Sequence, residues 1–348
     1  MILLLVIISL ALLVLVHELG HFFAAKACGV SVEEFGFGFP PRLIAKKIGK
    51  TVYSLNLFPL GGFVKIFGEN GAEASEQKNE TSFSSKPVWK RSVIVLAGIA
   101  SNILLAWIII IIIFTIGVPK HLIISDIAPD SPAEQVGLKS GDIILEAKIN
   151  RENLKDPIVS EIFVELIKKE SSTIHLSIQR GEEVLEKEIT PRINPPEGEG
   201  ALGVNLIEIG FDKSPFPKNI LEGTKSTIEN IRLIGGGILT LIAGLFGKTD
   251  VLSQVTGPVG IFQVANETGK MGAIYLAQLM ALISLNLAIL NLIPFPALDG
   301  GRFIFLLIEK ITRRNISHKV QAITNATGFL ALVLLMIIVT VKDLGLLK

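Results

Sequence analysis

The stretch Leu15-Val16-His17-Glu18-Leu19-Gly20-His21 sets a metal-binding spacing inside a run that otherwise reads as membrane. Residues four apart share one face of a helix, so His17 and His21 project their imidazoles side by side and can share a zinc ion. Glu18 then lies within reach of a water at the open position of the metal. A zinc hydrolase keeps three protein ligands and one open position, so a third ligand must come from elsewhere in the chain. The pattern raises hydrolysis inside a bilayer as the hypothesis to test.

Composition points the same way. Of 348 residues, 49% are hydrophobic and 19% charged, too apolar for an ordinary soluble enzyme of this length. A net charge of +1 favours neither nucleic acid nor an acidic substrate. Cys28 is the only cysteine, which excludes an intramolecular disulfide and any multi-cysteine zinc site.

Residues 2–25 are apolar apart from Ser9 and the motif, long enough at about 1.5 Å per residue to cross a hydrocarbon core of roughly 30 Å. The uncharged start argues against a cleaved secretory signal, and cleavage would discard the motif. His17 lies about 25 Å along this helix from its start, near one membrane face. Further spans are expected at 93–118, 273–298 and 322–341. Between the first two, runs at 32–39 and 51–67, built around Gly36, Gly38, Gly61 and Gly62, suggest a short sheet or hairpins. Such strands either pair with an extended substrate by edge addition or form a plain structural hairpin. In the second span, Gly98 and Asn102 stand four apart on a small-residue face that reads first as helix packing.

Residues 119–194 shift to soluble composition. Ser131-Pro132-Ala133-Glu134 followed by Gly137-Leu138-Lys139-Ser140-Gly141-Asp142-Ile143-Ile144 resembles a PDZ domain, with an amphipathic segment at 161–169 and strands at 173–179 and 184–190. That domain would take a peptide by β-addition or serve as a steric gate. A Gly/Pro-rich linker follows at 198–217, and then 231–246, a short span or an interfacial helix; its glycines, Arg232 and Lys248 favour the interface.

Ten Lys and Arg residues lie between the first two spans (Lys26, Arg42, Lys46, Lys47, Lys50, Lys65, Lys78, Lys86, Lys90, Arg91). Five more lie between the last two (Arg302, Lys310, Arg313, Arg314, Lys319). The positive-inside rule makes both loops cytoplasmic and puts the N-terminus, the PDZ-like region and the C-terminus outside. Four spans satisfy this arrangement. The third then runs inward and brings Asp299 to the face that holds His17 and His21, which makes Asp299 the expected third ligand.

The ordered combination resembles the site-2 protease family of intramembrane zinc metalloproteases, in its bacterial regulator-of-sigma-E protease branch. It comprises His-Glu-x-x-His in the first span, Gly-x-x-x-Asn in the second, a PDZ insertion, and Asn-x-x-Pro-x-Pro-x-x-Asp-Gly-Gly in the third. Room for a single PDZ domain places the chain nearer the single-PDZ members than the tandem type. The resemblance implies one Zn²⁺ held by His17, His21 and Asp299, with Glu18 as catalytic acid and base. It makes Asn102, Asn291, Pro294 and Pro296, with the Gly-rich strands, candidates for substrate handling. The partners it implies are the lipid bilayer and single-pass membrane proteins already clipped by another protease, such as an anti-sigma factor, or signal-peptide remnants. The setting is the bacterial inner membrane, with the active site toward the cytoplasm.

The expected architecture is therefore an α-helical polytopic membrane protein with four transmembrane helices, a membrane-associated β-hairpin region and one inserted α/β PDZ-like domain. Its divisions fall at 1–118, 119–194, 195–270 and 271–348. A membrane scaffold with a structural zinc is the rival reading, but an open three-ligand site beside Glu18 argues against it. A metal transporter would spread polar residues along several spans, whereas here they gather at one face.

Overall fold

A computed structural model describes residues 2–69, 80–150, 152–155, 163–164, 167, 173–181, 183–193, 195–196, 199–211, 213–244, 257–314 and 316–344. The chain opens with α1 (Ile2–Ala27), β1 (Val32–Ile48), β2 (Thr51–Ile66) and α2 (Val88–Ile116). There follow β3 (Val118–Ile127), α3 (Pro132–Gln135), β4 (Ile143–Ile149), β5 (Glu152–Lys155), β6 (Ile174–Arg180), β7 (Glu183–Ile189) and β8 (Val204–Phe211). Five helices complete it: α4 (Lys218–Gly244), α5 (Pro258–Met271), α6 (Ala273–Leu292), α7 (Asp299–Thr312) and α8 (His318–Asp343).

Among the described residues, four helices are long and apolar enough to cross a membrane: Val6–Ala27, Val88–Ile116, Ala273–Leu292 and Lys319–Asp343. Only 11% of the apolar window in the last is buried within the protein, so most of its Leu, Ile and Val side chains face outward. In water that exposure would be a large cost, and in lipid it is none. The stretch at 231–246 forms part of α4, which is not one of these four; residues 245 and 246 lie outside the described set.

Two compact units emerge, 1–110 with 223–348, and 111–222. In the first, Phe22, Ala25, Val30, Ile66, Ile94, Val95 and Leu306 form one core cluster, which joins the second end of α1 to the strands, the start of α2 and α7. A second cluster of Val6, Leu13, Ala265, Leu276 and Met280 packs α5 and α6 against the first half of α1. Strands β1 and β2 double back on one another. Residues 42–48 face 51–56 as a tight hairpin, while 34–37 face both 52–55 and 62–65. The segment 62–66 therefore has 32–37 on one side and, among the described residues, no strand on the other.

The second unit is a six-stranded antiparallel sheet in the order β7-β6-β4-β3-β8, with β5 pairing β4. Alternation drives it: Ile174, Leu176 and Ile178 of β6 point into a core with Leu122, Ile124, Ile144 and Phe163, while His175 and Ser177 point away. Ser131 caps α3 by accepting from the Glu134 amide at 3.2 Å. Asp142 takes a bidentate pair of hydrogen bonds from Arg180, both 2.7 Å, and accepts from the Lys139 amide at 2.8 Å. The Asp of the Gly-Leu-Lys-Ser-Gly-Asp motif thus closes its own turn onto β6.

The elements depart from the sequence expectation in several places: β1 runs on to Ile48 rather than 39, and α4 starts at Lys218 rather than 231. The third span stops at Leu292 rather than 298, because Pro294 and Pro296 supply no N–H and their rings obstruct a continuing helix. The stretch expected as linker at 198–217 contains β8, whose Val204 and Leu206 pack on the sheet's core; the flanking Gly and Pro obscured its alternation. Of the amphipathic segment at 161–169, only Phe163, Val164 and Ile167 are described, and Phe163 and Ile167, four apart, are both buried.

Candidate active site

Helix α1 holds His17 and His21 one turn apart, and the turn after α6 delivers Asp299 to them. Asp299 is the first residue of α7, since the chain breaks at Ile293–Leu298 and starts a new helix there. Ala297 makes the sharp bend with φ of 74°, a left-handed conformation that costs an L-residue about 1–2 kcal/mol. Its amide donates to Asn325 Oδ1 of α8 at 3.2 Å, which secures the bend. All three side chains are buried.

The three donor atoms form a near-equilateral triangle. His17 Nε2 and His21 Nε2 lie 3.0 and 3.2 Å from Asp299 Oδ2 and 3.2 Å from each other. Ligands about 2.0–2.1 Å from a tetrahedral zinc stand roughly 3.3 Å apart, so the triangle fits that ion with little adjustment. A carboxylate and two imidazoles are also a donor set that zinc accepts. His21 Nδ1 donates to the Ile94 carbonyl at 2.8 Å, which fixes the tautomer that leaves Nε2 free.

Helix α2 must approach closely for this contact. A Cβ on Gly98 would lie 2.4 Å from His21 Nε2 and 2.8 Å from His17 Cε1, inside van der Waals contact with both rings. Gly98→Ala is therefore expected to displace the imidazoles and to reduce bound zinc to a small fraction of one equivalent. Metal analysis of the purified variant checks this, and full zinc occupancy would refute the steric account.

Glu18 lies beside this triangle in a cavity of about 550 Å³, shared with Phe63, Val64, Lys65, Ile66, Asn291 and Arg302 among others. The segment 62–66 thus borders the same space as the His and Asp side chains. A Cβ on Gly62 would lie 3.5 Å from Glu18 Cγ, so the strand passes close to this side chain. Gly36 sits opposite Phe63 in the register, and Gly38 accepts from Asn56 Nδ2 through its carbonyl at 2.9 Å. Gly61 and Gly62 are buried in β2. Pro294 and Pro296 lie in the break before Asp299, and Pro296 packs against Gly328 of α8. Asn291 faces the cavity, whereas Asn102 is fully buried beside His17.

Sequence reasoning did not find Arg302 and Glu69. Arg302 Nη1 donates to Glu69 Oε1 at 2.8 Å at the cavity's rim. The Glu69 carboxylate holds this guanidinium above its ordinary value, so a fixed positive charge lies near Glu18. The signal available was a single Arg three residues after Asp299, in a run otherwise apolar through Ile308.

Four apolar helices with a zinc-competent His-His-Asp centre define a membrane metallohydrolase. Comparison with known proteins narrows this class: residues 5–335 match the model of peptidase family M50, and the chain belongs to that family. It is 34% identical over 341 residues to a protein of Clostridium perfringens named putative zinc metalloprotease, with 97% of each chain covered. It is 29% identical over 421 residues to the regulator of sigma-W protease RasP of Bacillus subtilis, again with 97% of each covered. The chloroplastic membrane metalloprotease ARASP of Arabidopsis thaliana is 31% identical, over 96% of this chain and 76% of its own. The chain is thus a multi-pass, zinc-dependent membrane metalloprotease.

Proposed function

We propose that this protease cuts single-pass membrane proteins inside their transmembrane segments, close to the cytoplasmic face, as a single-PDZ relative of the regulator-of-sigma-E proteases. The observation that carries the reading is that His17, Glu18 and His21 lie within an apolar span and meet Asp299, which follows another such span, in a cavity bordered by the strand segment 62–66.

His17, His21 and Asp299 are the ligands and Glu18 is the catalytic acid and base. When bound, zinc supplies Lewis acidity at the scissile carbonyl. Glu18 takes the proton from the attacking water and delivers it to the departing amine, so the proton balance closes on one side chain. No protein nucleophile is needed. Arg302 lines the same cavity as Glu18.

A transmembrane helix hides its amides in its own hydrogen bonds, so cutting one requires local unwinding with new partners for the freed groups. The outer edge of the strand at 62–64 offers such partners, and an extended substrate added there would run past Glu18. Asn291 supplies a further amide in the cavity. The proline break leaves room beside the centre that a continuous α6 would fill.

The basic loops favour a cytoplasmic site, with the N-terminus, the PDZ-like unit and the C-terminus on the outside of a bacterial inner membrane. The name of RasP points to transcriptional regulators as a substrate class, such as an anti-sigma factor already clipped outside. The test is to incubate the zinc-loaded protein in liposomes with a single-pass substrate and to map the products by mass spectrometry. Scission within the substrate's apolar segment near its cytoplasmic end is expected. Cuts confined to its soluble parts, or none, would refute the reading.

A further inference from the structure

Gly98 and Asn102 read in the sequence as a packing face or a substrate contact, and neither accounts for where Asn102 sits. Its side chain is wholly buried, it does not border the active-site cavity, and its amide nitrogen lies 3.3 Å from His17 Nδ1. Its Oδ1 is buried without a hydrogen-bond partner. The two asparagines of the family motifs therefore separate: Asn291 faces the cavity, and Asn102 faces the back of a ligand ring.

Chemistry requires the opposite amide orientation once a metal binds. A histidine that offers Nε2 to a metal carries its proton on Nδ1 and needs an acceptor there. With Nδ2 toward His17, two donors would meet while an acceptor remains stranded. Turning the amide by 180° exchanges two groups of nearly equal shape, so Oδ1 accepts from His17 Nδ1–H and the orphaned acceptor is satisfied.

We propose that Asn102 is a positioning residue for the metal centre, its side-chain carbonyl holding the Nδ1 proton of His17 so that Nε2 stays aimed at the metal. This completes a pattern on α2. Ile94, Gly98 and Asn102 recur at four-residue spacing on one face, opposite His17 and His21 at the same spacing on α1. The Ile94 carbonyl orients His21, Gly98 admits both rings, and Asn102 orients His17. Three contacts hold the α2 backbone that carries this side chain. The Asn102 main-chain carbonyl accepts from Ser284 Oγ of α6 at 2.9 Å, and one residue earlier Ser101 Oγ donates to the Val16 carbonyl at 2.9 Å and to the Gly98 carbonyl at 2.8 Å.

The inference rests on His17, His21 and Asp299 being the zinc ligands, and the experiment keeps the two claims apart. Zinc affinity is measured on the full-length detergent-solubilised protein by competition with a chromogenic chelator. The variants are Asn102→Ala and Asn102→Asp, and KM for a single-pass substrate is read at saturating zinc. Asn102→Ala is expected to weaken zinc binding about 10–100-fold with KM unchanged. Asn102→Asp presents only acceptor oxygens and is expected to restore near wild-type affinity, and its cobalt-substituted form to keep the wild-type visible spectrum. Wild-type zinc affinity in Asn102→Ala, or a raised KM as its only defect, would overturn the positioning role. Should the Ala variant fail to fold, the Asp variant decides alone. If the amide nitrogen were the working group, Asn102→Asp would lose zinc affinity or substrate binding, and that result would overturn the proposal. A wild-type protein that binds no zinc would instead sink the ligand assignment.

Discussion

Replacing Glu18 with Gln is expected to leave one zinc bound per chain while cleavage falls by about 10²–10⁴-fold, the usual contribution of a general base and acid. Glu18 is not one of the three side chains that converge within 4.8 Å of one another, so the substitution leaves the donor triangle intact. Gln matches Glu in shape, so it fits the space beside Gly62, but it cannot accept a proton at neutral pH. The comparison therefore isolates proton transfer from folding and metal binding. Zinc stoichiometry and turnover of a single-pass substrate are measured side by side. Robust turnover by the variant would remove Glu18 from the chemistry, and loss of zinc would make it a ligand.

Asp299→Ala is expected to do the reverse, abolishing activity by removing metal. Two imidazoles alone are a poor zinc site, and in this variant they would lose the carboxylate that lies between them at 3.0 and 3.2 Å. A ligand that binds only the folded state at a thousandfold excess over its Kd stabilises that state by about 4 kcal/mol. Stripping zinc from the wild type should thus lower its unfolding temperature by several degrees, whereas the same chelator should leave Asp299→Ala unchanged. An equal response to chelator in both proteins, with equal metal content, would exclude Asp299 as a ligand.

How far the site can be read from the chain depends on what kind of group acts. His17 and His21 announce themselves, because helical period and metal chemistry together make their spacing meaningful. Asp299 emerges from the distribution of Lys and Arg, since the side of the membrane limits which acids can reach α1. The way Asp299 arrives was not legible. The prolines signal a break, but whether the chain resumes as a new helix or as a loop depends on the Ala297 bend and on Asn325 from another helix. The Ile94 carbonyl could not be found at all, because every residue has one and only packing selects it. The strands at 32–39 and 51–67 were visible, but not the double pairing of 34–37 that leaves 62–66 at an edge beside Glu18. Strand β8 was hidden because its eight residues sit between Gly-rich and Pro-rich flanks.

His17 and Asp299 meet across 282 positions of sequence. A ribosome adding about 5–20 residues per second needs roughly 15–60 s between the two. Throughout that interval the nascent chain has its first span in the bilayer, among the apolar segments of other newly inserted proteins, with its donor triangle incomplete. With the proposed ligand set, those neighbours are spared until the helix that starts at Asp299 has been made, because only then does the donor triangle close.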